Sequence, residues 1–200
     1  IKIIPLGGVR EEGKSLYVVE VNQSICVLDC GLLYPEDDLL GIDFVIPDFS
    51  YLKENADRVV GIFLSHGHAD AVGALPFLLG EIDAPVFGTQ LTIELASIAA
   101  RKHHLEDRLE NFFTVDAETE IEFDQVTVSF FSTTHTIPDS VGIVLETKEG
   151  SIVYTGDFRF DPSASQPYKT DFSRLTDLGK ENVIALLSDS AAAESSIENV

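Results

Sequence analysis

Four apolar stretches of this chain each end in residues that can bind a metal ion, and this pattern constrains the fold most. The stretches are "SICVLD", "RVVGIFLSHGHAD", "VTVSFFSTTH" and "SIVYTGD". Continuous runs of Val, Ile, Leu and Phe are typical of buried strands. Loops at the ends of such strands are a usual place for binding and catalytic groups. The candidate site residues are Asp29, His66, His68, Asp70, His135 and Asp157.

The order of strands and helices predicts two sheets that pack face to face with helices outside. The chain begins with a strand, "IKIIPLGG", and a hairpin, "SLYVVEVNQSICVLDCG", that turns at Asn22-Gln23. "AVGALPFLLGEI" is predicted as one helix, and "TQLTIELASIAARKHHL" as an amphipathic helix capped by Thr89 or Thr92. Strands predominate after position 111, with a helix near 172–178 before the last strand. We therefore expect an α/β fold of the α+β kind, forming a single domain over 1–200.

Taken alone, the net charge argues against a nucleic-acid-binding protein. The 200 residues include 34 acidic and only 13 basic ones, giving a formal charge of −21, whereas phosphate binding requires Lys and Arg. The simplest interpretation is that the charge keeps the protein in solution, and two alternatives stay open. A bound cation can invert the field of an acidic site, or other regions and partners can supply basic surface.

The two cysteines and the lack of long apolar runs favour a cytoplasmic protein. Cys26 and Cys30 are expected on one face of a strand, too far apart to form a disulfide, as free thiols in a reducing compartment. No apolar run reaches the roughly 20 residues of a membrane span. Since the chain starts at Ile1 without Met, we expect it to be a segment of a longer protein.

The segment "HGHAD" is the clearest metal-binding candidate. Alternate residues of an extended backbone point to one side, so His66 and His68 can both bind Zn²⁺ or Mn²⁺. The alternatives are a solvated loop for the two histidines and a helix N-cap role for Asp70. His103 and His104 are interpreted instead as cationic residues at a helix C-terminus.

These residues, in this order, resemble the metallo-β-lactamase superfamily. The superfamily signature HxHxDH reads here as His66, His68, Asp70 and Ala71. The resemblance implies an αββα sandwich with a two-metal site along one edge of the sheets.

Six longer segments narrow the resemblance to the ribonuclease J family, a β-CASP branch of this superfamily. They are "PLGGV", "PEDDLLGIDFVIPDFSYL", "SHGHADAVGALPFLL", "THTIPDSVGIV", "YTGDFRFD" and "LLSDS". The resemblance implies that this chain is the N-terminal portion of a split catalytic domain. The β-CASP and C-terminal regions would then be absent from this chain.

The resemblance also implies a role for each site residue. His66, His68 and His135 would bind the first metal, and Asp157 would bridge two metals. Asp70 would bind the second metal and orient or deprotonate the attacking water, with Asp70 and His68 as the catalytic residues. Asp29 would be a buried residue that fixes the histidine loop.

Three departures from the family pattern favour a weakened site. Ala71 stands where the family has a metal-binding histidine, so we expect one divalent transition metal, Zn or Mn, rather than two. "REEGKS" replaces the more usual "GEIGKN" and places Arg10 and Glu12 near the cleft, and "SDSAAAE" replaces "SDSTNAE". These changes resemble the second, catalytically weaker paralogue of Gram-positive bacteria.

Three functions are therefore considered. The first is a metal-dependent ribonuclease for RNA processing and mRNA decay, with weak 5′ exonuclease and endonuclease activity. The second is a non-catalytic subunit that supports an active paralogue. The third, a hydrolase of thioesters or lactams, is disfavoured by "GIDFVIPD" and "HTIPDSVG". The implied partners are RNA and either the active paralogue, in a hetero-oligomer, or a second copy, in a homodimer.

Overall fold

Two β-sheets lie face to face in the computed structural model, which describes residues 1–35 and 40–191. The first sheet contains, in spatial order, β1 (Lys2–Gly7), β2 (Leu16–Val21), β3 (Ser24–Leu28), β4 (Val59–Phe63), β5 (Val86–Gly88) and β6 (Phe112–Thr114). The second contains β7 (Glu120–Glu122), β8 (Thr127–Ser132), β9 (Val141–Thr147), β10 (Gly150–Tyr154) and β11 (Val183–Leu187). Strands β3 to β6 are parallel, as are β10 and β11, and the other neighbours are antiparallel.

Helices cover the outer faces of both sheets. They are α1 (Ser50–Glu54), α2 (Ala69–Val72), α3 (Leu75–Leu79), α4 (Gln90–Lys102) and α5 (Phe172–Leu178), with 3₁₀ turns at Ala56–Arg58 and Glu106–Asn111. One core cluster joins the first sheet to α1 through α4, a second lies between the sheets, and a third packs α5 on the second sheet. The predicted αββα sandwich is confirmed.

The segment predicted as one helix after "HGHAD" forms two short helices instead. The N–H of Ala74 donates to the carbonyl of Cys30, 2.9 Å away, and not to its own helix. Pro76 then occupies the first turn of α3, where a missing N–H costs nothing. The predicted side-chain cap of α4 is also absent, since the Thr89 hydroxyl donates to the carbonyl of Asp139 at 2.8 Å.

Asp29 ends strand β3 by a change of backbone direction. Its φ of 58° lies in the left-handed region, which Asp tolerates better than most residues. Cys26 therefore belongs to the core between the sheets, whereas Cys30 belongs to the core beneath the helices. The expectation that both share one strand face is wrong, but both are buried free thiols.

No helix within residues 1–35 and 40–191 is long and apolar enough to cross a membrane.

Candidate metal centre

Three imidazole rings converge where the two sheets meet. His66 and His68 follow β4, whereas His135 follows β8 of the other sheet. The Nδ1 atom of His68 lies 3.1 Å from Nε2 of His135, and one ring nitrogen from each of the three residues lies within 4.8 Å of the others. This spacing suits three nitrogen ligands of one metal ion, which bind at about 2.0–2.1 Å from a common centre.

The hydrogen bonds around His66 leave one ring nitrogen free for a metal. Ser65 donates its hydroxyl proton to Asp29 at 2.7 Å, so its oxygen accepts from Nδ1–H of His66 at 2.9 Å. Nε2 of His66 then carries a lone pair and points into the cluster. Among the described residues this buried atom has no hydrogen-bond partner, which is rare in native proteins. A divalent metal ion fits this orphaned acceptor.

Burial keeps the imidazoles of His66 and His135 in their metal-binding, neutral form. It lowers the pKa of His66 to about 4, despite the opposing effect of Asp70. Burial and then the charge of His68 also lower the pKa of His135. Both rings are therefore neutral near pH 7 and need lose no proton to bind a metal.

Two carboxylates form a second donor group beside the imidazoles. One ligand atom each from His66, Asp70 and Asp157 lies within 4.8 Å of the others. The pKa of Asp157 is raised to about 8, first by burial and then by the hydrogen bond and negative charge of Asp70. A cation bound beside this pair would favour the ionised form of Asp157 and lower its pKa.

Ala71 adds no donor to this second group. Its side chain is fully buried in the core beneath the helices. His66 belongs to both donor groups. Its single free nitrogen can bind only one ion at a time. Asp70 lies in the first turn of α2, whose N-cap residue is His68, so Asp70 is not the N-cap.

Asp29 holds the loop that carries His66 in place through buried hydrogen bonds. Its carboxylate accepts hydrogen bonds from the N–H and the hydroxyl of Ser65, both at 2.7 Å, and from the Tyr154 hydroxyl at 2.6 Å. Burial raises the pKa of Asp29 to about 7, against the effect of these donors. Because Ser65 also contacts His66, Asp29 orients a candidate ligand through one intervening residue.

The sequence model of the metallo-β-lactamase superfamily matches residues 9–173. The chain belongs to this superfamily. Every candidate site residue lies within this match. Relatives named Ribonuclease J 2 confirm the predicted resemblance to the ribonuclease J family.

Curated relatives are similar over nearly all of this chain. Proteins named Ribonuclease J 2 are 58% identical in Streptococcus pyogenes, over 98% of this chain, and 49% identical in Staphylococcus epidermidis, over 97% of it. Ribonuclease J 2 of Staphylococcus aureus is 47% identical, also over 97% of this chain. In each case the chain spans only 35% of the relative's length.

Solved structures share the fold at low sequence identity. A metallo-β-lactamase fold protein, YhfI from Bacillus subtilis, matches with a TM-score of 0.55 and 20% identity, over 80% of this chain and 64% of its own. Human tRNase Z, short form, matches with a TM-score of 0.50 and 19% identity, over 78% of this chain and 68% of its own. These two structures support the metallo-β-lactamase fold alone.

A cavity of about 850 Å³ opens beside the carboxylate pair. Arg10 and Glu12 line it, as the sequence predicted, together with Asp70 and Asp157. Asp189, which follows β11, also lines it and contributes to the raised pKa of Asp157. Sequence reasoning missed Asp189, although its position after an apolar strand was the same signal that identified the other residues. His103 and His104 lie outside both donor groups.

Proposed function

We propose that this superfamily member is the N-terminal part of a ribonuclease J-like protein that hydrolyses RNA phosphodiesters in RNA processing and mRNA decay. The observation that carries this proposal is the orphaned Nε2 of His66, set among His68, His135 and the paired carboxyl groups. High identity to Ribonuclease J 2 proteins supports RNA as the substrate. The β-CASP and C-terminal regions would belong to the remainder of the longer protein.

The contacts support a role for each site residue. His66, His68 and His135 would hold the metal, and Asp157 would be a further ligand from the neighbouring donor group. Asp70, which lines the cavity beside Asp157, would accept a proton from the attacking water. Asp29 and Ser65 hold His66 in the tautomer that binds. A bound divalent ion supplies charge for the phosphoryl oxygens and lowers the pKa of a bound water.

One divalent transition metal, Zn or Mn, is proposed for each chain. The donor groups share the single free nitrogen of His66, and Ala71 offers none. The proposed activity is therefore weak, with both 5′ exonuclease and endonuclease character. The buried free thiols of Cys26 and Cys30 support a reducing, cytoplasmic location.

A second candidate function is a non-catalytic subunit that supports an active ribonuclease J paralogue. Ala71 favours it, because the second donor group lacks the histidine of the superfamily signature. The two candidates imply different partners. A weak enzyme acts on RNA alone or as a homodimer, whereas a supporting subunit acts in a hetero-oligomer with the paralogue.

Cleavage of single-stranded RNA by the purified full-length protein, with Mn²⁺ or Zn²⁺, distinguishes these candidates. We expect slow cleavage that a chelator and His68→Ala both abolish, with at most one tightly bound metal by elemental analysis. Activity no higher than that of His68→Ala, together with faster cleavage by the paralogue on mixing, would support the subunit role. Two tight metals, both lost in Asp70→Ala, would contradict the single-metal proposal.

Ala71→His tests the origin of the weakness in the same assay. We expect a second metal equivalent and faster Mn²⁺-dependent cleavage, because the substitution adds the imidazole that the superfamily signature has directly after Asp70. Ala71→Leu is the matched control, since it also enlarges a fully buried side chain but adds no donor. Equal activity of the two variants, both folded by circular dichroism, would assign the weakness to other residues.

A further inference from the structure

The cavity beside the donor groups is strongly acidic for a site that must accept RNA. Five carboxylate side chains line it, from Glu11, Glu12, Asp70, Asp157 and Asp189. An RNA phosphate that enters this space is repelled by each carboxylate that stays ionised. A single bound divalent ion neutralises only part of this charge.

Arg10 is the only Lys or Arg among the described residues that line this cavity. The nearest other cation along the loop, Lys14, is already paired with Glu11, with 3.3 Å between Nζ and Oε1. Glu11 also accepts the N–H of Gly8 at 3.0 Å, which braces the loop. Arg10 is exposed and forms no ion pair with any described residue. Its guanidinium is therefore available to a ligand.

The backbone at Arg10 is of a kind that glycine adopts more readily. Its φ is 61°, in the left-handed region, where a residue with a Cβ is disfavoured. An arginine in such a conformation at the wall of a site is a candidate functional residue, because residues with strained backbone are concentrated at binding and catalytic sites.

We propose that Arg10 is a phosphate-binding residue of this cavity and contacts the backbone of single-stranded RNA held at the metal centre. The proposal rests on the proposed function. It adds one positively charged side chain that offsets the repulsion between the cavity carboxylates and the RNA phosphates. Arg10 supplies positive charge to a cavity wall on which the other described charged side chains are carboxylates. The planar guanidinium suits a phosphate because it can donate two hydrogen bonds at once.

The substitution Arg10→Gly separates binding from folding. Glycine fits a φ of 61°, so the thermal unfolding midpoint of the full-length protein is expected to be unchanged or higher. RNA affinity is expected to fall about fivefold or more, and the dependence of log K on log salt to weaken by about 0.7, as for one lost single-strand phosphate contact. Arg10→Lys, which keeps the charge, is expected to retain the salt dependence and part of the affinity.

Binding is measured by fluorescence anisotropy with Mn²⁺ present, using a 5′-labelled single-stranded RNA whose phosphorothioate linkages resist cleavage. Arg101→Gln is the matched control, because Arg101 is exposed at the end of α4 and does not line the cavity. Equal affinities and salt slopes for Arg10→Gly and Arg101→Gln would overturn the role of Arg10. Failure of the wild-type protein to bind RNA at all would instead contradict the proposed function.

Discussion

At the scale of single residues, Tyr154 connects the two halves of the candidate site. It belongs to β10 of the second sheet, three residues before Asp157, yet its hydroxyl donates to Asp29 at the end of β3 in the first sheet. Asp29 in turn holds Ser65, which contacts His66. One phenol therefore relates the position of the segment that carries Asp157 to that of the histidine loop.

Tyr154→Phe should weaken metal binding while leaving the fold intact. The variant removes one of the three hydrogen bonds to Asp29 and keeps the buried ring, so we expect about 1–2 kcal/mol less unfolding free energy. Metal affinity should fall severalfold, less than the roughly 10–100-fold typical of groups bonded directly to a ligand. Competition with a chromophoric chelator measures this affinity.

Tyr17→Phe provides the matched comparison. The Tyr17 ring lies 5.6 Å from that of Tyr154, but its hydroxyl donates to the carbonyl of Gly8 at 3.3 Å and not to Asp29. We expect Tyr17→Phe to keep the wild-type metal affinity. Identical affinities in both variants would show that the Tyr154 hydroxyl does not position the ligands.

At the scale of elements, backbone contacts fix helix α2, which carries Asp70. The segment after β3 donates two hydrogen bonds to this helix, from Cys30 N–H to Ala71 O at 2.6 Å and from Leu32 N–H to Ala69 O at 2.9 Å. Ser15 N–H donates to Asp70 O at 3.0 Å. A four-residue helix makes few internal hydrogen bonds, so these external ones determine where Asp70 lies.

Gly31→Ala should displace Asp70. A Cβ atom at position 31 would lie 1.5 Å from the carbonyl oxygen of Asp70, so the β3 segment and α2 must separate. We expect a loss of several kcal/mol in unfolding free energy, as for severe overpacking, with reduced metal binding.

Gly80→Ala is the control for this prediction. The nearest atom to a Cβ at position 80 is 3.4 Å away and φ is −70°, so alanine fits without strain. Urea denaturation should find this variant as stable as the wild type. Wild-type stability of Gly31→Ala would instead show that the two segments can move apart freely.

Elements with strong local patterns were predicted well from the sequence. The hairpin at Asn22-Gln23 and the helix near 172–178 occur as expected, because turn residues and apolar periodicity determine them locally. The break between α2 and α3 was not predicted, since it depends on a hydrogen bond to Cys30, a residue distant in sequence. The link from Tyr154 to Asp29 spans two sheets, and no local pattern indicates it.

At the scale of the whole molecule, the candidate metal centre joins the two sheets. His66 and His68 extend from the first sheet, whereas His135 and Asp157 extend from the second. The N–H of Val141 also donates to the carbonyl of Ser65 at 2.9 Å, so the sheets already touch beside the site. A metal ion held by residues of both sheets binds only the folded state, and it therefore stabilises that state.

Metal binding should therefore slow hydrogen exchange on both sides of the site in the full-length protein. At a metal concentration 100-fold above Kd, the folded state gains about 2.7 kcal/mol, and peptides covering 64–72 and 133–157 should share the protection. His135→Ala should remove it from both peptides, because the loss of one ligand weakens the link between the sheets. His103→Ala, a histidine outside both donor groups, should leave it unchanged. Protection confined to 64–72 in the wild type would mean that the ion binds the histidine loop alone, and that the second sheet contributes no ligand.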